Sequence, residues 1–142
     1  MERVRAIAGL GAGALVLVCS AAHSFLGWPA LRRKLVSANL PEDLLFDCAM
    51  IWHFGGGAIF VFGIIVAYCF AKRLRKQNVT MAPVTIIAVA YLVFGIYATA
   101  MRGPRPFLVA FVVPGIVLLL AVRRSQNGAA KAEGQARLAA LR

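Results

Sequence analysis

Four apolar stretches separated by short polar ones dominate the chain, spanning residues 6–28, 44–71, 82–101 and 106–122. A helix needs roughly 20 apolar residues, rising ~1.5 Å each, to cross the ~30 Å hydrocarbon layer of a bilayer. The first three runs meet that length, and the fourth approaches it. None alternates apolar and polar positions with a period of two, as a barrel strand would, so the pattern predicts helices. Helix punctuation agrees with these limits. Asn39 is placed to cap the second helix, ahead of Pro41, with Glu42 and Asp43 adding negative charge to its first turn. Pro83 and Pro106 fall near the starts of the third and fourth helices, where a missing N–H costs nothing. Pro114 lies inside the fourth run and predicts a kink there, with a carbonyl near residue 110 released from the helix ladder.

The expected fold is therefore an all-α integral membrane four-helix bundle. Residues 1–124 form its single domain, and residues 125–142 form a basic, alanine-rich tail. Composition agrees: 61% of the 142 residues are hydrophobic, 15% are charged, and mean hydropathy is +0.80. A soluble domain carries roughly 45–50% apolar and ~25% charged residues. In a soluble protein a net charge of +11 would point to nucleic acid, but these charges cluster between apolar runs and read as topology signals. Eleven of the sixteen Lys and Arg residues (3, 5, 72, 73, 75, 76, 123, 124, 131, 137 and 142) fall on one side of the four expected spans. The other five, Arg32, Arg33, Lys34, Arg102 and Arg105, fall opposite. The excess predicts cytoplasmic termini, with external loops at 29–40 and 102–105. The 29–40 loop has two readings, a solvated basic loop or a short interfacial helix with Leu31, Leu35 and Ala38 opposite the basic triplet. The N-terminal run has a competing reading as a signal peptide cleaved after Ala22, leaving three spans. Resumption of apolar character at Phe25–Trp28 favours a retained span.

Candidate chemistry is sparse. Cys19, Cys48 and Cys69 are odd in number, lack metal-ligand spacing, and read as small buried hydrophobes. No phosphate loop, nucleophile turn or HExxH helix is present, so the sequence gives no sign of an enzyme. His23 and His53 are the only histidines, and each falls within an apolar span. Polar groups at such depths face the bundle interior. His23 shares a helical stripe with Gly9, Ala12, Val16, Cys19 and Gly27, and His53 with Ala49, Gly56, Gly57, Phe60 and Ala67. Small residues let membrane helices approach closely. If these stripes pack together, the two imidazoles face each other in the outer half of the membrane, at depths that differ by about one turn.

Such a pair admits three roles. The first is packing, with each imidazole bonded to a neighbouring helix, in an accessory or structural membrane component that binds no cofactor and contacts lipid, other membrane subunits or a second copy of itself. The second is a site for haem, held by two neutral imidazoles, or for a quinone stacked on Trp52. The third is a small proton-coupled transporter, for which Asp47 is the sole carboxylate within a span. Asp47 also suits an ion pair with Arg102 or Arg105 across the outer ends of the helices.

The segment His23-Ser24-Phe25-Leu26-Gly27-Trp28, followed in the next span by Trp52-His53, resembles a group of small, uncharacterised bacterial inner-membrane proteins. Those pair a His-Ser-x-Leu-Gly stretch closing the first helix with a Trp-His in the second, and often carry Glu where this chain has Trp28. The resemblance covers about the first 60 residues and supports the topology and the choice of His23 and His53; the expected location is the bacterial inner membrane. It carries no activity with it.

Overall fold

The computed structural model describes residues 2–103 and 108–123, apart from the side chains of Arg102 and Leu108. Among these residues helices are the only regular structure: α1 (Glu2–Ala22), a π-helical turn (His23–Gly27), α2 (Trp28–Ser37), α3 (Glu42–Leu74), α4 (Ala82–Arg102), a second π turn (Leu108–Val112) and α5 (Val113–Val122). Three helical stretches are long and apolar enough to cross a membrane, Glu2–Ser37, Glu42–Leu74 and Ala82–Met101. The fourth apolar segment appears as a shorter helix, Val109–Val122. The basic tail at 125–142 lies outside the described residues.

The first helical stretch does not stop at Trp28. It continues as α2 for nine further residues and ends at Ser37, so most of the expected 29–40 loop is helical. Pro29 explains how. A proline inside a helix clashes with the carbonyl four residues earlier and cannot bond to it. The turn before it, His23–Gly27, widens to π geometry and absorbs the misfit, so the helix resumes instead of ending. Pro114 is treated identically, with the π turn Leu108–Val112 ending two residues before it. The kink expected at Pro114 thus takes the form of a widened turn that contains residue 110. In α2, Leu31 and Leu35 turn partly inward while Arg32, Arg33 and Lys34 stay exposed, the division expected of an amphipathic helix.

Asn39 does not cap α3, whose N-cap is Pro41. It closes α2 instead, taking the left-handed conformation at φ 56°. The Asn39 N–H bonds to Val36 O and the Leu40 N–H to Leu35 O, which satisfies carbonyls that a helix end leaves open. The end of α3 repeats the motif with Lys76 at φ 58°, its N–H on Arg73 O and the Gln77 N–H on Lys72 O.

α1 is central, packing along α3 on one side and α5 on the other, with α4 against α5. The core gathers at one end, which we term the inner end because it holds both described chain ends. It comprises Ala6, Ala12 and Val16 of α1, Val66, Cys69 and Phe70 of α3, Val84, Ile87, Ala88 and Tyr91 of α4, and Leu118 and Ala121 of α5. Polar contacts tie that end together. Arg73 Nη1 donates to Ala121 O at 2.9 Å and Val122 O at 3.3 Å, and Arg5 Nη1 donates to Arg123 O at 3.0 Å. Both arginines thereby serve the carbonyls that α5 leaves open at its C-terminus. Arg73 also pairs with Glu2 at 3.8 Å.

Candidate functional site

Towards the opposite, outer end, the α1–α3 pair meets in a layer built from the two histidines and the two tryptophans. At 33 residues α3 is about 50 Å long, whereas the 21 residues of α4 reach only about 32 Å. The α1–α3 pair therefore runs past what α4 can cover. His23, the first residue of the π turn, stacks on Trp52 of α3 with ring centroids 4.2 Å apart and planes within 6°. Each of these residues also bonds to the other's backbone. The Trp52 Nε1–H donates to His23 O at 2.8 Å, and His23 Nε2 lies 3.1 Å from Trp52 O. A carbonyl only accepts, so this contact assigns the proton of a neutral His23 to Nε2. His23 O carries a second donor, the Trp28 N–H, which closes the π turn.

The mirror pair lies beside it: Trp28 meets the His53 ring at 5.7 Å with planes tilted by 60°. The structure thus gathers His23, His53 and Trp52 in one layer, but each imidazole takes an indole as its partner. No hydrogen bond or ring contact joins the two imidazoles among the described residues. The expected histidine-facing-histidine arrangement is replaced by crossed His–Trp pairs. Rotational position computed at 100° per residue is valid for an unbroken α-helix, and the π turn breaks that count just at His23.

Close backbone approach makes the layer possible. A Cβ on Gly56 would collide with Ser24 Oγ and fall 3.4 Å from His23 Cδ2. Without one, α3 comes near enough for the Ser20 hydroxyl to donate to Gly56 O at 2.8 Å in a buried setting. Gly27 similarly leaves room for the edge of the Trp52 indole. The layer is only partly enclosed: His23, Trp28 and Trp52 are half-buried and His53 is exposed.

Other expected residues do not converge here. Asp47 is exposed on α3, about 7.5 Å further out than Trp52 at ~1.5 Å per residue. The pairing expected of it falls on the side chain of Arg102 and on Arg105, which lie outside the described residues. Cys19, Cys48 and Cys69 are free thiols, and no group of three His, Cys, Asp or Glu suited to a metal forms among the described residues. The role of Trp28 was missed by sequence reasoning, which treated it as the end of a span. Its signal was the symmetry of one Trp and one His on each helix.

No protein-family model, curated protein or solved structure matches this chain.

Proposed function

We infer that this protein is a four-span membrane component with both termini cytoplasmic, whose His–Trp layer is a structural interlock and whose role is accessory or structural. The reciprocal bonding of His23 and Trp52 carries this reading. The Nε2 of His23 and the Nε1 of Trp52 each engage a main-chain carbonyl of the facing helix, so the two side chains tie the helices to each other. Such bonds fix register. Interhelical hydrogen bonds in membranes contribute about 0.6 kcal/mol on average, and an aromatic pair adds about 0.5–1.5 kcal/mol. That contribution falls where the α1–α3 pair has outrun α4 and the inner core.

The fourth span is the apolar segment 106–122, whose described part is the π turn and α5 packed against α1 and α4. Its short length is eased by Arg123 at the inner end, since a long basic side chain extends to the interface.

The test pairs spectroscopy with stability. Protein purified in mild detergent is expected to lack a haem absorption band and to unfold at lower temperature when His23→Ala is introduced. A haem or quinone that co-purifies with the protein and is lost in both His23→Ala and His53→Ala would overturn the structural reading in favour of cofactor binding.

A further inference from the structure

At the inner end, α1 and α5 do not close fully against each other. A groove of about 340 Å³ runs between them, lined by Val4 and Ala8 of α1 and Val117 and Leu120 of α5, together with Arg5 and Arg123. We propose that this groove binds one anionic phospholipid, its phosphate between Arg5 and Arg123 and the start of an acyl chain on the apolar wall. The proposal rests on the membrane-spanning reading above.

Three observations select that occupant. The lining combines apolar side chains of α1 and α5 with two arginines, the mixture an amphiphile with an acidic head requires. The Arg5 guanidinium spends one of its five N–H donors on Arg123 O, which holds it beside the end of α5 and leaves four donors for phosphate oxygens. Among the described residues no carboxylate pairs with either arginine, and the one carboxylate on the first turn of α1, Glu2, lies 3.8 Å from Arg73 instead. Basic pockets between membrane helices on the cytoplasmic side recognise anionic head groups by this combination.

Native mass spectrometry of the full chain in mild detergent tests the proposal, with dioleoyl phosphatidylglycerol and dioleoyl phosphatidylcholine as probes. One phosphatidylglycerol is expected to bind more tightly than phosphatidylcholine. Affinity should fall about fivefold for Arg123→Gln and about 30-fold for Arg5→Gln/Arg123→Gln, from roughly 1 kcal/mol per basic residue. Ala8→Phe, which fills the groove and keeps both arginines, should also abolish the preference. Arg75→Gln/Lys76→Gln removes the same charge from the same end and should leave binding unchanged. Equal binding of the two lipids, equal loss in Arg75→Gln/Lys76→Gln, or retention by Ala8→Phe would overturn the site. Displacement by millimolar inorganic phosphate would reassign it to a free anion. Alkaline extraction of membranes reads the spanning proposal independently, so a chain that stays in the membrane but shows no lipid preference refutes the groove alone.

Discussion

Two glycines two residues apart on α1 offer a controlled test of how α1 and α3 are held together. An ideal Cβ on Gly13 would lie 3.0 Å from the Ala67 nitrogen, 3.1 Å from Val66 Cγ1 and 3.2 Å from the Ala67 Cα. Two of those atoms are main chain, so the strain cannot be relieved by turning a rotamer, and the helices must separate. A Cβ on Gly11 would meet nothing within 4 Å. Both changes to Ala alter intrinsic helix propensity alike, by about 0.8–1 kcal/mol in favour of the helix. The difference between the two variants therefore isolates packing. Overpacking of a tight contact costs about 1–3 kcal/mol. Gly13→Ala should accordingly be about 1–3 kcal/mol less stable than Gly11→Ala, while Gly11→Ala itself is at least as stable as the parent chain.

The assay is equilibrium unfolding in mixed micelles, read by intrinsic tryptophan fluorescence. That probe is well placed, because both tryptophans sit in the layer joining α1–α2 to α3. If Gly13→Ala and Gly11→Ala unfold together within a few tenths of a kcal/mol, close backbone approach at Gly13 is not what holds α1 to α3, and the small-residue argument for this pair fails.

Three further outcomes are expected. His23→Ala and Trp52→Phe should be non-additive by about 0.5–1.5 kcal/mol in a double-mutant cycle, because each removes one side of the same reciprocal contact; additivity would dissolve the interlock. Lys76→Gly should stabilise the protein by up to about 1 kcal/mol relative to Lys76→Gln, since both lose the charge but only glycine adopts φ 58° without penalty; thermal unfolding in detergent decides it. Reporter fusions after Lys76 and after Arg142 should both report a cytoplasmic location, whereas a fusion after Ser37 should report an external one; an external reporter at Arg142 would refute the four-span topology.

Much of the helical architecture was legible because apolar periodicity and run length are properties of the sequence itself. The second and third runs fall inside α3 and α4, and of the two readings of 29–40 the helical one matches Leu31 and Leu35, although Ala38 stays exposed beyond the end of α2. That His23, His53 and Trp52 share a layer was partly legible, because imidazoles in an apolar span stand out against their surroundings. Two things were not. Asn39 satisfies a helix start and a helix end equally well by residue type, and only the closure of α2 onto Leu35 O distinguishes them. Pro29 reads as a terminator, since a proline usually ends the helix before it, and no local rule announces that a widened turn will carry the chain past it.

That widened turn is also why the layer pairs unlike residues. With no N–H on Pro29 to bond it, the carbonyl of Phe25 drops out of the regular ladder, and the ladder around it reorganises so that the Trp28 N–H bonds to His23 O. A backbone carbonyl has two lone pairs, and a tilt off the helix axis turns the second towards a neighbour. Trp52 supplies the donor that occupies it, at 2.8 Å. Imidazole facing imidazole would have left that second lone pair without the indole donor. An indole N–H meets the need with an apolar body that also stacks on the ring below. The proline, the π turn, the indole donor and the Gly56 approach are therefore one device. Pro114 sits behind a π turn in the same way, with Phe111 of that turn packed against Tyr91 and Phe94 of α4. At both prolines the chain turns a break in the helix ladder into a contact with the neighbouring helix.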